Sequence, residues 1–161
     1  MIIVSDASPL MNLAAINQLH LLRDIYGKII IPPKVFQELT VQGRGQPGDS
    51  EIRNAEWIEV IEPTDRNLIS ELSETIDIGE AEAIALAVEL HCNKLIIDER
   101  LGRKKAQEFH LHVIGTLGIL VEAKHHHLIP SVVSLMDALR TKAHFWIREE
   151  LYDEIKQTVG E

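Results

Sequence analysis

Residues 1–10, MIIVSDASPL, run a short apolar stretch into an aspartate and set a Ser-Pro pair directly behind it. Val4 and its neighbours read as a short buried strand, so Asp6 falls where that strand ends and the chain turns. Ser8 is the expected N-cap and Pro9 the expected first helical residue of SPLMNLAAINQLHLLRDIYG, one or two helices stopped at Gly27. A carboxylate at such a junction is either a turn residue or a piece of chemistry.

The same alternation recurs along the chain. Strand-length apolar runs lie at MIIVS, KIIIP, WIEVIEP and NKLIIDE, with segments of helical spacing between them: PPKVFQELT, TDRNLISELSE, DIGEAEAIALAVELH, RLGRKKAQEFH, GTLGILVEAKHHHL and PSVVSLMDALRTK. The tail repeats Ile147, Leu151, Ile155 and Val159 four apart, predicting an amphipathic helix at about 145–160. The Gly-rich VQGRGQPGD reads as a mobile loop and not a boundary, because no second core begins beyond it. Parallel neighbours need long crossovers, so this order predicts one domain over residues 1–161 with a three-layer α/β/α fold around a central, mainly parallel sheet. In such sheets sites gather outside the carboxyl ends of the strands.

A chain of 161 residues that is 45% hydrophobic can bury a core unaided. Cys92 is the sole cysteine, which excludes a disulfide framework and a cysteine-based zinc site within one chain. No run approaches the roughly 18 apolar residues of a membrane span, and the expectation is a cytoplasmic protein with no membrane partner. The net charge of −9 opposes a simple electrostatic grip on nucleic acid. Such a partner requires a local basic patch or bound cations.

Acids mark the strand ends. Asp6 follows the first run and Asp98 the fourth, with Glu99 immediately after. Glu80 opens the Ala-rich helix and tops a stripe continued by Ile84 and Ala87, whereas Glu82 and Glu89 share a different face; Asp77-Ile-Gly-Glu80 also has capping-box spacing. Glu38 lies near the end of a short helix, where a negative charge gains nothing from the helix dipole. Each acid alone has an ordinary explanation as a turn residue, cap or exposed helix acid. Together, like charges on one sheet edge are costly unless a proton or a cation sits among them. Mg²⁺ or Mn²⁺, which take carboxylate and water oxygens, are the natural fill.

The phrases IIVSDASPLMNL, IPPKVFQEL, DIGEAEAIALA, LIIDERLGRKKA and VIGTLGILVEAK follow one another as they do in PIN-domain proteins, and the chain resembles most the branch of VapC-like toxins. The resemblance implies a PIN fold and a metal-dependent endoribonuclease, the toxin of a type II toxin-antitoxin pair, with RNA as substrate, a small antitoxin as partner and a homodimer as the assembly. It assigns Asp6, Glu38, Glu80 and Asp98 as the catalytic acids and Asp6, Glu80, Asp98 and Glu99 as metal ligands, Asp98 and Glu99 being alternatives. Ser8 matches a small polar residue that supports the first acid, and Asn12 lies one turn on. Two departures are visible: Glu80 stands where Asp is frequent, and LIIDER replaces a Thr-Arg pair before the last acid.

Arg100, Arg103, Lys104 and Lys105 follow Asp98 and offer either a phosphate grip or a solvated helix face. Thr116 is a further candidate for the same edge or a helix cap. The three consecutive histidines 125–127 read as a solvated helix end, because neighbouring residues on a helix point apart. Trp57, Phe145, Trp146 and Tyr152 read as core or interface. Two rivals stand beside the nuclease: a non-catalytic interaction protein on the same scaffold, and a phosphatase or receiver-like domain. The latter is disfavoured by the lack of an Asp-x-Asp pair after the first strand.

Overall fold

The computed structural model describes residues Met1–Glu161. Its sheet contains β1 (Ile3–Ser5), β2 (Ile29–Ile31), β3 (Ile58–Val60), β4 (Lys94–Ile96) and β5 (Val113–Ile114) in the order β3-β2-β1-β4-β5. Every pairing is parallel, with Val4 opposite Leu95 and Ile30 opposite Glu59. The helices are α1 (Ala7–Ala15), α2 (His20–Tyr26), α3 (Pro33–Gln37), α4 (Asp49–Asn54), α5 (Arg66–Leu72), α6 (Ile78–Glu89), α7 (Arg100–Glu108), α8 (Thr116–His125), α9 (Val132–Lys142) and α10 (Glu149–Thr158).

Successive strand residues point to opposite faces, which divides the core in two. Ile3, Ile29, Ile31 and Ile96 join a cluster of 24 buried residues with α1, α2, α8 and α9. Val4, Ile30, Leu95 and Ile97 join a cluster of 14 on the other face with α5, α6 and α7. Helix α6 is buried from Gly79 through Ala87, its many alanines letting it lie close to the sheet. The sheet is therefore covered on both sides, the three-layer α/β/α arrangement of a PIN-like fold.

Four details differ from the sequence reading. The strand β5 was not anticipated, since two half-buried residues leave no run to detect. Helix α1 starts at Ala7 with Asp6 in the N-cap position, so Ser8 is inside the first turn and caps nothing. The last helix begins at Glu149, after an extended Arg148, not at 145. VQGRGQPGD begins inside a π-helical turn, Glu38–Gln42, and ends on the first residue of α4.

Histidines end several helices. His91, His110 and His127 follow the C-caps of α6, α7 and α8 with φ of 49°, 60° and 58°. In each case the next amide reaches back to close the end, as in Leu111 N to Ala106 O at 3.2 Å and Leu128 N to Ala123 O at 2.9 Å. This left-handed position normally selects glycine. His110→Gly is thus expected to raise stability by a few tenths to about 1 kcal/mol, relief of backbone strain outweighing the added freedom of the unfolded chain; urea denaturation measures it.

Candidate active site

The strand order reverses between β1 and β4, and both strands deliver an acid there. The Asp6 amide donates to Ile96 O at 2.9 Å, which ties the end of β1 to that of β4. Asp6 as a residue is buried, 3% exposed. Asp98, two residues beyond β4, is held on three sides: Thr116 donates its amide to Oδ1 at 2.7 Å and its hydroxyl to Oδ2 at 2.6 Å, and Asn12 Nδ2 donates to Oδ2 at 3.2 Å. A Cβ at Gly115 would stand 2.8 Å from Asp98 Oδ1, so glycine leaves the space this carboxylate fills.

Glu80 enters from the first turn of α6 and is buried at 6% exposure. Asp77 caps that helix, its Oδ1 accepting from the Glu80 amide at 2.9 Å. Helix α7 passes so close that a Cβ at Gly102 would lie 2.7 Å from Glu80 Oε2. Glu38 opens the π-helical turn after α3, and its carboxylate rests against Gly79 where any side chain would collide with it. Single π turns are found frequently at functional sites, and this one re-aims the residue that carries the charge.

The acids feel one another. Burial first, then the fields of Asp77, Glu38 and Asp98, push the Asp6 carboxyl up to about 7, against the lowering effect of the Ala7 amide. Burial, the hydrogen bond and charge of Asp77, and the fields of Asp6 and Glu99 push Glu80 up to about 8. Glu38 is also raised, by burial and then by Asp77 and Glu82, with Lys34 opposing. The edge thus holds protons near neutral pH.

Oxygen donors with no cysteine or histidine among them suit a hard divalent cation, and so does their mutual repulsion. As the side chains are placed, no three acid, histidine or cysteine residues stand close enough to hold a metal ion. The donor type fits a cation, while the observed side-chain positions do not enclose one.

Other candidates fall as follows. Ser8 makes no side-chain hydrogen bond with the acids, whereas Asn12 and Thr116 both bind Asp98. Glu99 is exposed in the N-cap position of α7, bearing on Glu80 by its charge. Arg100 and Lys104 are exposed on α7, and Arg103 Nη1 donates to Ile97 O at 3.3 Å. The histidines 125–127 lie exposed at the end of α8. Sequence reasoning passed over Asp77, which its capping spacing explained away, and Glu82. Glu82 was set on another helix face, yet it is 8% exposed, with Oε1 accepting from Lys34 N at 3.3 Å.

The chain belongs to the PIN-domain family: a family model described as a PIN domain matches residues 2–161. PIN domains are in general nucleases, so the chain is a member of a nuclease family. Neither a search of curated proteins nor a search of solved structures gave a match. No helix is long and apolar enough to cross a membrane.

Proposed function

We propose that the protein is a metal-dependent endoribonuclease of the VapC-like toxin type, with Asp6, Glu80 and Asp98 as the ligands of Mg²⁺ or Mn²⁺ and Glu38 completing the acid set. The observation that carries this reading is the arrival of Asp6, Asp98, Glu80 and Glu38 from four elements at the reversal point of a parallel sheet, where burial and then neighbouring charges hold Asp6, Glu38 and Glu80 above the usual carboxylate range and a cation would offset that charge. Such a cation, when bound, supplies a water acidic enough to attack a phosphodiester and offsets the charge that develops on it.

The protein's own groups have separable tasks. Thr116 and Asn12 fix the Asp98 carboxylate, favouring it over the exposed Glu99 as the last ligand. Burial of Asp6 and Glu80 excludes bulk water from their side of the edge, which strengthens every charge interaction there. Asp77 orients the first turn of α6 and hence Glu80.

The direct test is cleavage of varied RNAs by the purified chain with Mn²⁺ or Mg²⁺, alone and with EDTA. Intact RNA under all conditions, together with no effect of Asp6→Asn on metal binding, would overturn the reading. Thr116→Val keeps the amide bond to Asp98 and removes the hydroxyl one. Its cleavage rate is expected to fall by about 10- to 100-fold, the usual range for residues that orient metal ligands, with the melting temperature little changed.

The side-chain positions, which enclose no cation, favour a second reading: a non-catalytic interaction protein on the PIN scaffold. It is distinguished by a melting temperature indifferent to Mn²⁺. A small antitoxin, a homodimer and a cytoplasmic setting complete the leading proposal, and co-expression with a short neighbouring reading frame tests the first of them.

A further inference from the structure

Trp146, expected in a core or an interface, is 79% exposed and so lies outside the core. It borders a groove of about 1000 Å³ between α7, α8 and α10 that starts at Asp98. The floor is apolar, with Ile114, Leu117, Val121 and Leu151, while Arg100, Arg103, Lys104 and Arg148 line the groove. None of these cations takes part in an ion pair. Asp98 is the sole acid of the lining, in a chain of 25 acidic and 16 basic residues. The groove is an inversion of the protein's overall charge.

The segment bearing Trp146 is anchored. Ile147 is buried, Arg140 Nη2 donates to its carbonyl at 2.8 Å, and the Phe145 amide reaches Leu139 O at 3.0 Å. The indole is exposed although its neighbours are tied down. An exposed tryptophan beside unpaired arginines is what an unpaired base and its phosphates require, since stacking serves any base and the cations follow the backbone. A duplex hides its base faces, and the base edges, 2′-hydroxyls and phosphates it leaves open give an indole nothing to stack on.

Resting on the nuclease reading, we infer that this groove is the track of single-stranded RNA leading to the acid edge, with Trp146 as a base-stacking platform and Arg148 as a phosphate contact. The favoured substrate is unpaired RNA, and the contacts lie on one side of Asp98. Charge complementarity and continuity with the acid edge set RNA above a second copy of the chain as the occupant.

The experiment is binding of a fluorescein-labelled 12-nucleotide single-stranded RNA, and of its duplex, in EDTA so that nothing is cut. Trp146→Ala is expected to weaken single-strand binding by roughly 5- to 100-fold, Trp146→Phe to restore most of it, and duplex binding to be weaker and insensitive to both. Arg148→Gln should weaken binding and lower the salt slope by about 1. With Trp57→Phe as background, RNA should quench the remaining tryptophan. If RNA is bound and cut yet Trp146→Ala and Arg148→Gln change neither affinity, the track is overturned and the nuclease stands. If the wild type neither binds nor cuts RNA, the nuclease reading fails and this inference with it. A concentration-dependent dimer dissolved by Trp146→Glu, with unchanged RNA affinity, would assign the groove to a second copy instead.

Discussion

Asp6→Asn should lower RNA cleavage by about 10³-fold while making the metal-free protein more stable at pH 8. The first half follows from removing one ligand charge from a site whose cation supplies several kcal/mol of transition-state stabilisation. The second follows from linkage. In the folded chain Asp6 titrates near 7 and Glu80 near 8, while unfolded carboxyls titrate near 4. Between those limits the folded state binds more protons than the unfolded state, so stability falls as pH rises through about 4 to 8. Asparagine carries no charge to bury and removes the Asp6 share of that loss. Melting curves from pH 5 to 9 without metal should therefore slope down for the wild type and less steeply for the variant. Added Mn²⁺ should raise the wild-type melting temperature more at pH 8 than at pH 5.5, because fewer protons must leave. A wild-type curve that is flat, or that rises, over this range would contradict the buried and mutually repelling placement of these acids.

Ile84→Ala is expected to cost about 2–5 kcal/mol, the range for emptying a well-packed aliphatic site, and to lower the melting temperature by roughly 10 °C. Ile84 is wholly buried on α6, one turn beyond Glu80 and on the same stripe. The sheet lies on one side of it and α5 belongs to the same core, so little can move in to fill the space. With stabilities of 5–15 kcal/mol typical, that loss is a large share of the total. Ile78, on the same helix but 47% exposed, is the control: Ile78→Ala should change stability by about 0.5 kcal/mol or less. The pair separates the helix's packing role from its chemistry. Denaturant titration of both gives the difference.

The strands β1, β2 and β4 were legible as apolar runs and β3 as an alternating Ile-Glu-Val edge strand, and the helices other than the short α4 because their stripes recur at helical spacing. What escaped was short or doubly explained. Two residues of β5 carry no periodicity. Ser8-Pro9 looked like a helix start, but the sheet closes one residue before Asp6, and the backbone gives the cap position to the acid. Asp77 matched a capping motif so well that its charge, which bears on Asp6, Glu38 and Glu80, went unweighed. A linear sequence shows which helix an acid belongs to and not how deep the helix lies, so Glu82 was set outside. Trp146, read as core or interface, is exposed and therefore not core, a choice that only tertiary placement makes. The hydroxyl and amide of Thr116 on Asp98 depend on β5 lying beside β4, which no local pattern conveys.

Both margins of the sheet are brief. At one side β5 offers two residues, and at the other β3 offers three, with Val60 partly open to solvent. An exposed strand edge is a template on which another chain can add its own strand, and natural proteins blunt it by shortening it. Here both margins are short, and β3 also carries Glu59, ion-paired with Lys28. Two copies of the chain gain little by joining sheets into one continuous ribbon, and self-association in register, the first step toward fibrous aggregates, has no long edge from which to grow. Any homodimer is expected to use helix and loop surfaces in place of a shared sheet.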